Sequence, residues 1–223
     1  MSRKVEKNSA EKLRINEIFY SIQGESSNAG LRCVFVRLTY CNLRCSYCDT
    51  EYAFFEGTDM ELSEILEKIA SYKCNLVEIT GGEPLIQNNV HLLMTVLCDG
   101  GYQVMLETAG HLDITPVDRR VRIIMDIKCP SSGESEKNRW ENLNLIKPDD
   151  EVKFVIGDRS DFDWACNIMQ KHKLSDNCHV IFSPVFGKMS NLELANLIIA
   201  HNLPVRMQLQ LHKYIWSPGK RGV

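Results

Sequence analysis

Apolar residues recur along this chain in short runs that are rich in β-branched side chains, and such runs predict β-strands. Seven runs have the length and composition of strands: 33–40, 76–82, 103–110, 121–129, 151–157, 179–186 and 205–211. Several are apolar almost throughout, which is typical of strands covered on both faces in a parallel sheet.

Amphipathic stretches lie between many of the predicted strands. In the segment 59–73, apolar residues stand at i, i+3, i+4 and i+7 counted from Leu62, the spacing of one helix face. The segments 89–101, 160–173 and 190–202 have the same character, and the last opens with a capping box formed by Ser190 and Glu193. Strands alternating with helices predict parallel strands joined by right-handed crossovers.

Two connections lack a helical pattern. Residues 111–120 are too few and contain Pro116, and residues 130–150 are polar and irregular. We therefore expect an α/β fold, an open and incomplete TIM-like barrel of about six parallel strands with fewer helices than strands. The sequence contains no linker, so we expect a flexible N-terminal tail at 1–13 and a single domain at 14–223.

The composition argues against several classes of function. The 223 residues include 26 basic and 29 acidic side chains, and a net charge of −3 gives no reason to expect a nucleic-acid or anionic-membrane partner. No apolar run reaches the roughly 18–20 residues of a membrane span, and the polar N-terminus lacks the apolar core of a signal peptide. Nine cysteines without an export signal favour metal binding or catalysis in the cytoplasm over a disulfide framework.

Three of the cysteines, Cys41, Cys45 and Cys48, form a CxxxCxxC motif directly after the first predicted strand. In parallel α/β folds ligands bind at this edge of the sheet. Structural zinc usually has four ligands in paired C-x-x-C units, and a redox C-x-x-C would leave Cys41 without a role. A [4Fe–4S] cluster held by three thiolates, with its fourth iron open to a small chelating molecule, fits the motif better, with zinc as the alternative.

The motif resembles the signature of radical S-adenosylmethionine enzymes, in which an aromatic residue, here Tyr47, precedes the last cysteine. The resemblance implies that the open iron binds the amino and carboxylate groups of S-adenosyl-L-methionine. It further implies that one electron from the cluster cleaves the sulfonium, and that the 5′-deoxyadenosyl radical abstracts hydrogen from a substrate. An electron donor such as flavodoxin or ferredoxin would supply the electron.

A second motif, T-G-G-E-P at 80–84, follows the second predicted strand. Its glycines allow a ligand to approach the backbone closely, although a tight turn between a strand and a helix has the same residues. The motif resembles the segment that holds the methionine amino group in radical S-adenosylmethionine enzymes. That resemblance implicates Gly81, Gly82 and Glu83.

Further segments resemble one branch of this superfamily, the 7-carboxy-7-deazaguanine synthases. They are Phe19 to Glu25, Phe35-Val36-Arg37 to Cys41, Cys48-Asp49-Thr50, and the later stretches ETAG, DIKCPSSG and LQLHKYIW. The resemblance implies a homodimeric carbon–nitrogen lyase that converts 6-carboxy-5,6,7,8-tetrahydropterin to 7-carboxy-7-deazaguanine and releases ammonia, in queuosine and 7-deazapurine biosynthesis. Alternatives are another radical enzyme, such as a glycyl-radical-enzyme activase, and a structural metal-binding module.

The resemblance also implies roles for individual residues. The pterin substrate would be bound by Ile22, Gln23, Gly24, Glu25, Arg37, Thr80 and His212. S-adenosyl-L-methionine would be contacted by Tyr47, Gly82, Glu83, Asp126, Ile127, Lys128 and Ser183, and Thr50 would bind Mg²⁺ beside the substrate. Simpler interpretations are a snorkelling Arg37, a turn-capping Thr50 and a structural His212. Glu107 is either a pocket carboxylate or a salt-bridge partner.

Two departures from the branch are visible. Ser26 stands where the branch usually has glycine after Q-G-E. Some relatives end soon after H-K-Y, whereas this chain continues as IWSPGKRGV. The contact that the end of those relatives makes near the substrate therefore needs another source here, for which His212 and the region of Pro218 are candidates.

Overall fold

A computed structural model describes residues 11–223, and residues 1–10, most of the expected tail, lie outside the described residues. Nine strands occur in the described part of the chain: β1 (Lys12–Ile22), β2 (Arg32–Leu38), β3 (Thr58–Glu61), β4 (Leu76–Gly81), β5 (Gln103–Thr108), β6 (Arg122–Ile127), β7 (Glu151–Ile156), β8 (His179–Pro184) and β9 (Arg206–Met207). The α-helices there are α1 (Leu62–Ser71), α2 (Val90–Asp99), α3 (Arg159–Lys171), α4 (Leu174–Asn177), α5 (Asn191–Ala200) and α6 (His212–Ile215).

The strands form one sheet in the order β3-β1-β2-β4-β5-β6-β7-β8-β9. Every pair from β2 to β9 is parallel, and β1 pairs antiparallel with both β2 and β3. Since β3 and β9 end the sheet without pairing to each other, the barrel is incomplete. The predicted α/β partial barrel is confirmed, with seven parallel strands in place of about six.

The sequence did not predict strand β1 near the N-terminus. In β1 the burial alternates at the start, with Leu13 and Ile15 buried between more exposed neighbours, as expected of a strand with one face on the core. Because β1 begins at Lys12, residues 12 and 13 belong to the sheet and not to the tail. At the opposite edge, the predicted strand 205–211 is wrong beyond Met207, because the chain turns back toward the interior and then enters α6.

The central strands are buried on both faces, as their apolar sequences predicted. Phe154 of β7 and Phe182 of β8 meet edge to face with ring centroids 5.5 Å apart, and Phe162 of α3 packs on Phe182 at 5.9 Å. The connections 111–120 and 130–150 contain no α-helix, as expected, and the second holds short 3₁₀ turns. Within residues 11–223, none of the helices has the length and apolar character needed to cross a bilayer.

Candidate active site

The cysteine loop leaves the carboxyl end of β2 and is held by the surrounding protein. The backbone N–H of Tyr40 donates to the carbonyl of Ala53 at 2.9 Å, and that of Ser46 donates to Ser132 at 2.9 Å. The N–H of Arg44 donates to the Glu134 carboxylate at 2.6 Å. The loop is therefore tied by hydrogen bonds to segments on both sides, so its order does not depend on a metal alone.

All nine cysteines are free, and Cys41, Cys45 and Cys48 are each partly exposed and line one cavity. Burial raises the pKa of Cys41, and it raises the pKa of Cys45 to about 11, although Lys128 opposes the shift in both. Since thiolates are the metal-binding form, a cationic centre would have to displace these protons. Among residues 11–223, no three His, Cys, Asp or Glu side chains converge as ligands of a single ion would. Three thiols lining one cavity fit a cluster larger than one ion.

The double glycine after β4 is required by close contact with the cysteine loop. A Cβ on Gly82 would lie 2.3 Å from the carbonyl oxygen of Tyr40 and 2.8 Å from the Cβ of Cys41. Gly81 has a φ of +149° and would meet the Leu38 carbonyl oxygen at 2.3 Å. The motif therefore brings two strand ends together at the cavity, a reason for the glycines that the sequence alone did not reveal.

Glu83 faces the protein interior and does not line the cavity. Its carboxylate accepts hydrogen bonds from the backbone N–H of Leu85 at 3.1 Å and of Ala109 at 2.8 Å, and from the hydroxyl of Thr108 at 2.9 Å. Burial raises its pKa despite these donors. The structure thus gives Glu83 a bracing role between β4 and β5, and its contact with S-adenosylmethionine stays a prediction.

The cavity has a volume of about 660 Å³ and opens at the carboxyl ends of the parallel strands. Most of the predicted site residues line it: Cys41, Cys45, Cys48, Thr50, Ile22, Gln23, Gly24, Glu25, Arg37, Thr80, His212, Tyr47, Gly82, Asp126 and Lys128. Besides Glu83, two other predicted site residues, Ile127 and Ser183, do not line the cavity. Ile127 packs in the core with 1% exposure, and Ser183 is buried on β8 beside Val155, which does line the cavity.

Three of the residues predicted to contact S-adenosylmethionine carry buried polar atoms without a hydrogen-bond partner. They are the hydroxyl of Tyr47, Oδ1 of Asp126 and the hydroxyl of Ser183. The other carboxylate oxygen of Asp126 accepts from the Lys128 ammonium at 2.9 Å. Buried polar atoms normally have partners, so this trio fits a polar ligand such as S-adenosylmethionine.

The loop after β1 carries the Q-G-E residues and is held by hydrogen bonds to β4, to β7 and to Gln208. The amide of Gln23 donates to buried Glu78 on β4, and its oxygen accepts from the backbone N–H of Glu25 at 3.0 Å. Ser26 has a φ of +61° and exchanges hydrogen bonds with the Gln208 side chain at 2.6 and 2.7 Å. A positive φ is the backbone conformation that favours glycine, the residue that the resemblance led us to expect at this position.

Arg37 lies on the inner face of β2, and only part of its hydrogen-bonding capacity is used within the protein. Its Nε donates to Oε1 of Glu17 at 2.8 Å, and the same oxygen accepts from the hydroxyl of Tyr52 at 3.0 Å. The guanidinium also approaches the faces of Phe19 and Tyr52, with centroid distances of 5.8 and 5.9 Å. The terminal nitrogens are left for an anion in the cavity, a geometry suited to a carboxylate and different from a snorkelling arginine.

A group of charged side chains on the cavity wall was missed by sequence reasoning. Lys153 of β7 donates to Glu25 at 2.9 Å and to Glu107 of β5, while Glu107 accepts from the hydroxyl of Thr80 at 3.1 Å. Glu107 is thus both a cavity carboxylate and a salt-bridge partner. The only signal for Lys153 was a lysine within an otherwise apolar run, which an exposed edge lysine produces equally well.

Thr50 and His212 also reach the cavity. The Thr50 hydroxyl makes no capping hydrogen bond to the following turn and lies 3.8 Å from the sulfur of Cys48, so the turn-capping interpretation is not supported. His212 packs on the Q-G-E loop, because a Cβ on Gly24 would meet its Nδ1 at 2.5 Å.

Comparison with known proteins agrees with this geometry. A family model described as the radical SAM superfamily matches residues 36–198. The 7-carboxy-7-deazaguanine synthase of Chlorobaculum tepidum is 48% identical over 214 residues, which cover 95% of this chain and 97% of that protein. The enzyme of the same name from Koribacter versatilis is 43% identical, with 95% and 100% covered.

A solved structure shares the fold. The crystal structure of QueE from Escherichia coli matches with a TM-score of 0.75 at 20% identity, over 89% of this chain and 94% of that one. The overall fold is therefore one seen experimentally in a distant sequence.

The fold, the cysteine loop and the family match define the class: this chain belongs to the radical S-adenosylmethionine superfamily, which uses a [4Fe–4S] cluster and S-adenosylmethionine. Within that superfamily, near full-length identity of 48% and 43% to two relatives shows that the chain is a member of the 7-carboxy-7-deazaguanine synthase family.

Proposed function

We propose that this enzyme converts 6-carboxy-5,6,7,8-tetrahydropterin to 7-carboxy-7-deazaguanine with release of ammonia, as a carbon–nitrogen lyase of queuosine and 7-deazapurine biosynthesis. The observation that carries the proposal is that one cavity is lined both by the three cysteines and by Gln23 to Glu25, Arg37 and Thr80. A cofactor end and a substrate end in a single cavity are what hydrogen abstraction from a bound substrate requires.

The cofactor end has a donor set that fits the bound groups. When bound, the cluster and S-adenosylmethionine supply a carbon-centred radical able to abstract hydrogen. Cys41, Cys45 and Cys48 would hold the cluster, and Tyr47 and Asp126, which line the cavity, would give their unpartnered polar atoms to S-adenosylmethionine. The unpartnered hydroxyl of Ser183 lies just behind the cavity wall formed by Val155. Lys128 keeps Asp126 in place through its 2.9 Å hydrogen bond. Ile127 contributes packing, since its side chain is in the core.

The substrate end offers complementary groups for a carboxylated pterin. The free nitrogens of Arg37 suit the 6-carboxylate through paired hydrogen bonds. Glu25 and Glu107 are acceptors for the N–H groups of the pyrimidine ring, and Thr80 and His212 border the same space. Gln23 fixes the loop, because both ends of its amide are engaged inside the protein.

Mg²⁺ would be held by the hydroxyl of Thr50 together with oxygen atoms of the substrate and water. A hard cation favours oxygen ligands and usually retains several waters, so a single protein ligand is sufficient. The uncapped hydroxyl of Thr50, which faces the cavity beside Cys48, supports this assignment.

The remaining partners follow from the family and the chemistry. A homodimer is proposed, in keeping with α5, which exposes Leu192 by 71% and Ile199 by 74%. A flavodoxin or ferredoxin is proposed as the electron donor. Nine free thiols fit a reducing compartment such as the cytoplasm.

The test is an anaerobic reaction of the reconstituted enzyme with S-adenosylmethionine, Mg²⁺, a reductant and 6-carboxytetrahydropterin. We expect 7-carboxy-7-deazaguanine by mass spectrometry, and a loss of kcat/KM of at least about tenfold in Arg37→Gln, with Arg37→Lys intermediate. Cleavage of S-adenosylmethionine without this product would instead indicate another radical reaction, such as activation of a glycyl-radical enzyme.

A further inference from the structure

Lys153 is the centre of the charged group on the cavity wall. Its side chain is 5% exposed, and its ammonium contacts Oε2 of Glu25 at 2.9 Å, Oε1 of Glu107, and Oδ2 of Asp126 at 4.0 Å. The three carboxylates come from three different elements, the loop after β1, strand β5 and strand β6. One buried cation therefore ties together parts of the site that are far apart in sequence.

The surrounding charges are mostly negative. Besides its three contacts, the buried carboxyl of Glu78 lies close to Glu25 and Glu107, and Lys128 is engaged by Asp126. Arg37 and His212 act on this group from β2 and α6, at greater range. A carboxylate removed from water needs a compensating cation, and Lys153 is the cation in direct contact with Glu25 and Glu107.

The acceptor capacity of both glutamates remains available to a ligand. Oε1 of Glu25 accepts from the Gln210 amide at 2.9 Å, and Oε2 of Glu107 accepts from the Thr80 hydroxyl at 3.1 Å. Each carboxylate oxygen has two lone-pair sites, so these bonds orient the groups without using them up. Both residues line the cavity.

We propose that Lys153 is a positioning residue, which holds the carboxylates of Glu25 and Glu107 in the cavity wall so that they can accept N–H donors of a pterin-type heterocycle. This inference rests on the proposed function for the class of ligand. Lys153 acts through the two carboxylates, and its contribution is electrostatic and geometric.

The proposal has a pH signature that a purely structural lysine lacks. Burial alone would raise the pKa of Glu25, yet Lys153 and Gln210 hold it below the ordinary value. Without the ammonium, burial is no longer opposed by a cation in contact, so the pKa of Glu25 rises and its carboxyl takes up a proton at higher pH. A protonated carboxyl presents a donor where the ligand needs an acceptor, and raising the pH restores the acceptor.

The experiment compares anaerobically reconstituted wild type, Lys153→Met and Lys153→Arg in the presence of S-adenosylmethionine. Binding of 6-carboxypterin, a fluorescent oxidised analogue, is titrated from acid to alkaline pH, with iron content and melting temperature measured on the same samples. In K153M we expect affinity to fall at least about tenfold at neutral pH, and the acid limb of the binding profile to move up by about one unit or more. K153R retains the positive charge, so the acid limb of its binding profile should lie at the same pH as in the wild type.

Two results would overturn the proposal: an equal loss of affinity in K153M at every pH, or the same behaviour in K153R and K153M. If K153M does not fold, Lys153→Gln, which is also neutral but polar, carries the same expectation. Failure of the proposed function is separate, since it would appear as absence of the deazaguanine product from the wild type, while the binding profiles still report on Lys153.

Discussion

Gly24 packs directly against His212, because a Cβ added to Gly24 would lie 2.5 Å from Nδ1 and 3.0 Å from the backbone nitrogen of His212. The carbonyl of Gly24 also accepts from the N–H of Leu211 at 3.0 Å. The Q-G-E loop and the C-terminal segment thus form one wall of the cavity, in which neither can move without the other.

Replacing Gly24 with alanine should separate the two segments. Since the clash involves backbone as well as the imidazole, we expect Gly24→Ala to raise KM for the pterin at least about tenfold while iron content stays unchanged. Steady-state kinetics and iron analysis test this. Gly100→Ala is the matched control, because its nearest atoms are 3.4 Å away; an equal effect of both changes would contradict the contact.

Ser26 provides a test of backbone strain. Ser26 has a φ of +61°, which is strained for a residue with a side chain. Its hydroxyl accepts a hydrogen bond from the N–H of Asn28 at 3.1 Å, and this bond partly offsets the strain. Both Ser26→Gly and Ser26→Ala lose the bond, but only glycine relieves the strain. We expect S26G to be more stable than S26A by about 1 kcal/mol in denaturant unfolding. Equal stability of the two variants would refute the strained conformation.

Because of Glu78, we expect the free energy of unfolding of the enzyme to fall as the pH rises. Burial raises its pKa well above the usual range, and the neighbouring Glu107 and Glu25 raise it further. Between its unfolded and folded pKa values the native state binds more protons, so stability falls as pH rises, by up to about 1.4 kcal/mol per pH unit.

Glu78→Gln removes this titration and retains an acceptor for the Gln23 amide. The stability of E78Q relative to wild type should therefore grow as the pH is raised from 6 to 9, a range of about three units, measured by urea unfolding. A difference that stays constant over this range would show that Glu78 is ionised in the native state.

The C-terminal segment helps to position Arg37 through contacts made by Arg221. Its guanidinium lies 3.8 Å from the ring centroid of Tyr52 and 2.8 Å from Glu56, and Tyr52 in turn bonds to Glu17, the partner of Arg37. Because Arg221 is half exposed, Arg221→Ala should change stability by less than about 1 kcal/mol. Without the Arg221 contact, Tyr52 holds Glu17 and therefore Arg37 less firmly in position. We expect KM for the pterin to rise about three- to tenfold. Lys220→Ala removes the same charge without this contact, and an equal rise there would point to net charge alone.

Much of the fold was accessible from sequence because the parallel strands are covered on both faces and therefore appear as continuous apolar runs. β1 was missed because only one of its faces meets the core, so Leu13 and Ile15 alternate with polar residues near a charged N-terminus. β9 was overextended, since Gln208 and Gln210 turn inward to bond Ser26 and Glu25, contacts that no local pattern encodes.

The candidate site was only partly predictable. The cysteine spacing and the Q-G-E and T-G-G-E-P motifs all name residues that line one cavity. The cysteine loop and T-G-G-E-P follow parallel strands at their carboxyl ends, whereas Q-G-E follows the antiparallel strand β1, which the sequence did not predict. The inward direction of Lys153 and the interior position of Glu83 depend on which face of a doubly buried strand meets the barrel axis, and on turn geometry. Neither is determined by residues close in sequence.

The central claim is that Cys41, Cys45 and Cys48 hold a [4Fe–4S] cluster with one iron left for S-adenosylmethionine. The most direct measurement is electron paramagnetic resonance of the anaerobically reconstituted, reduced protein with and without S-adenosylmethionine. We predict about four irons per chain, a reduced-cluster signal that shifts when S-adenosylmethionine is added, and no such signal in Cys45→Ala. Zinc bound at the three thiols, or a cluster signal indifferent to S-adenosylmethionine, would contradict the account.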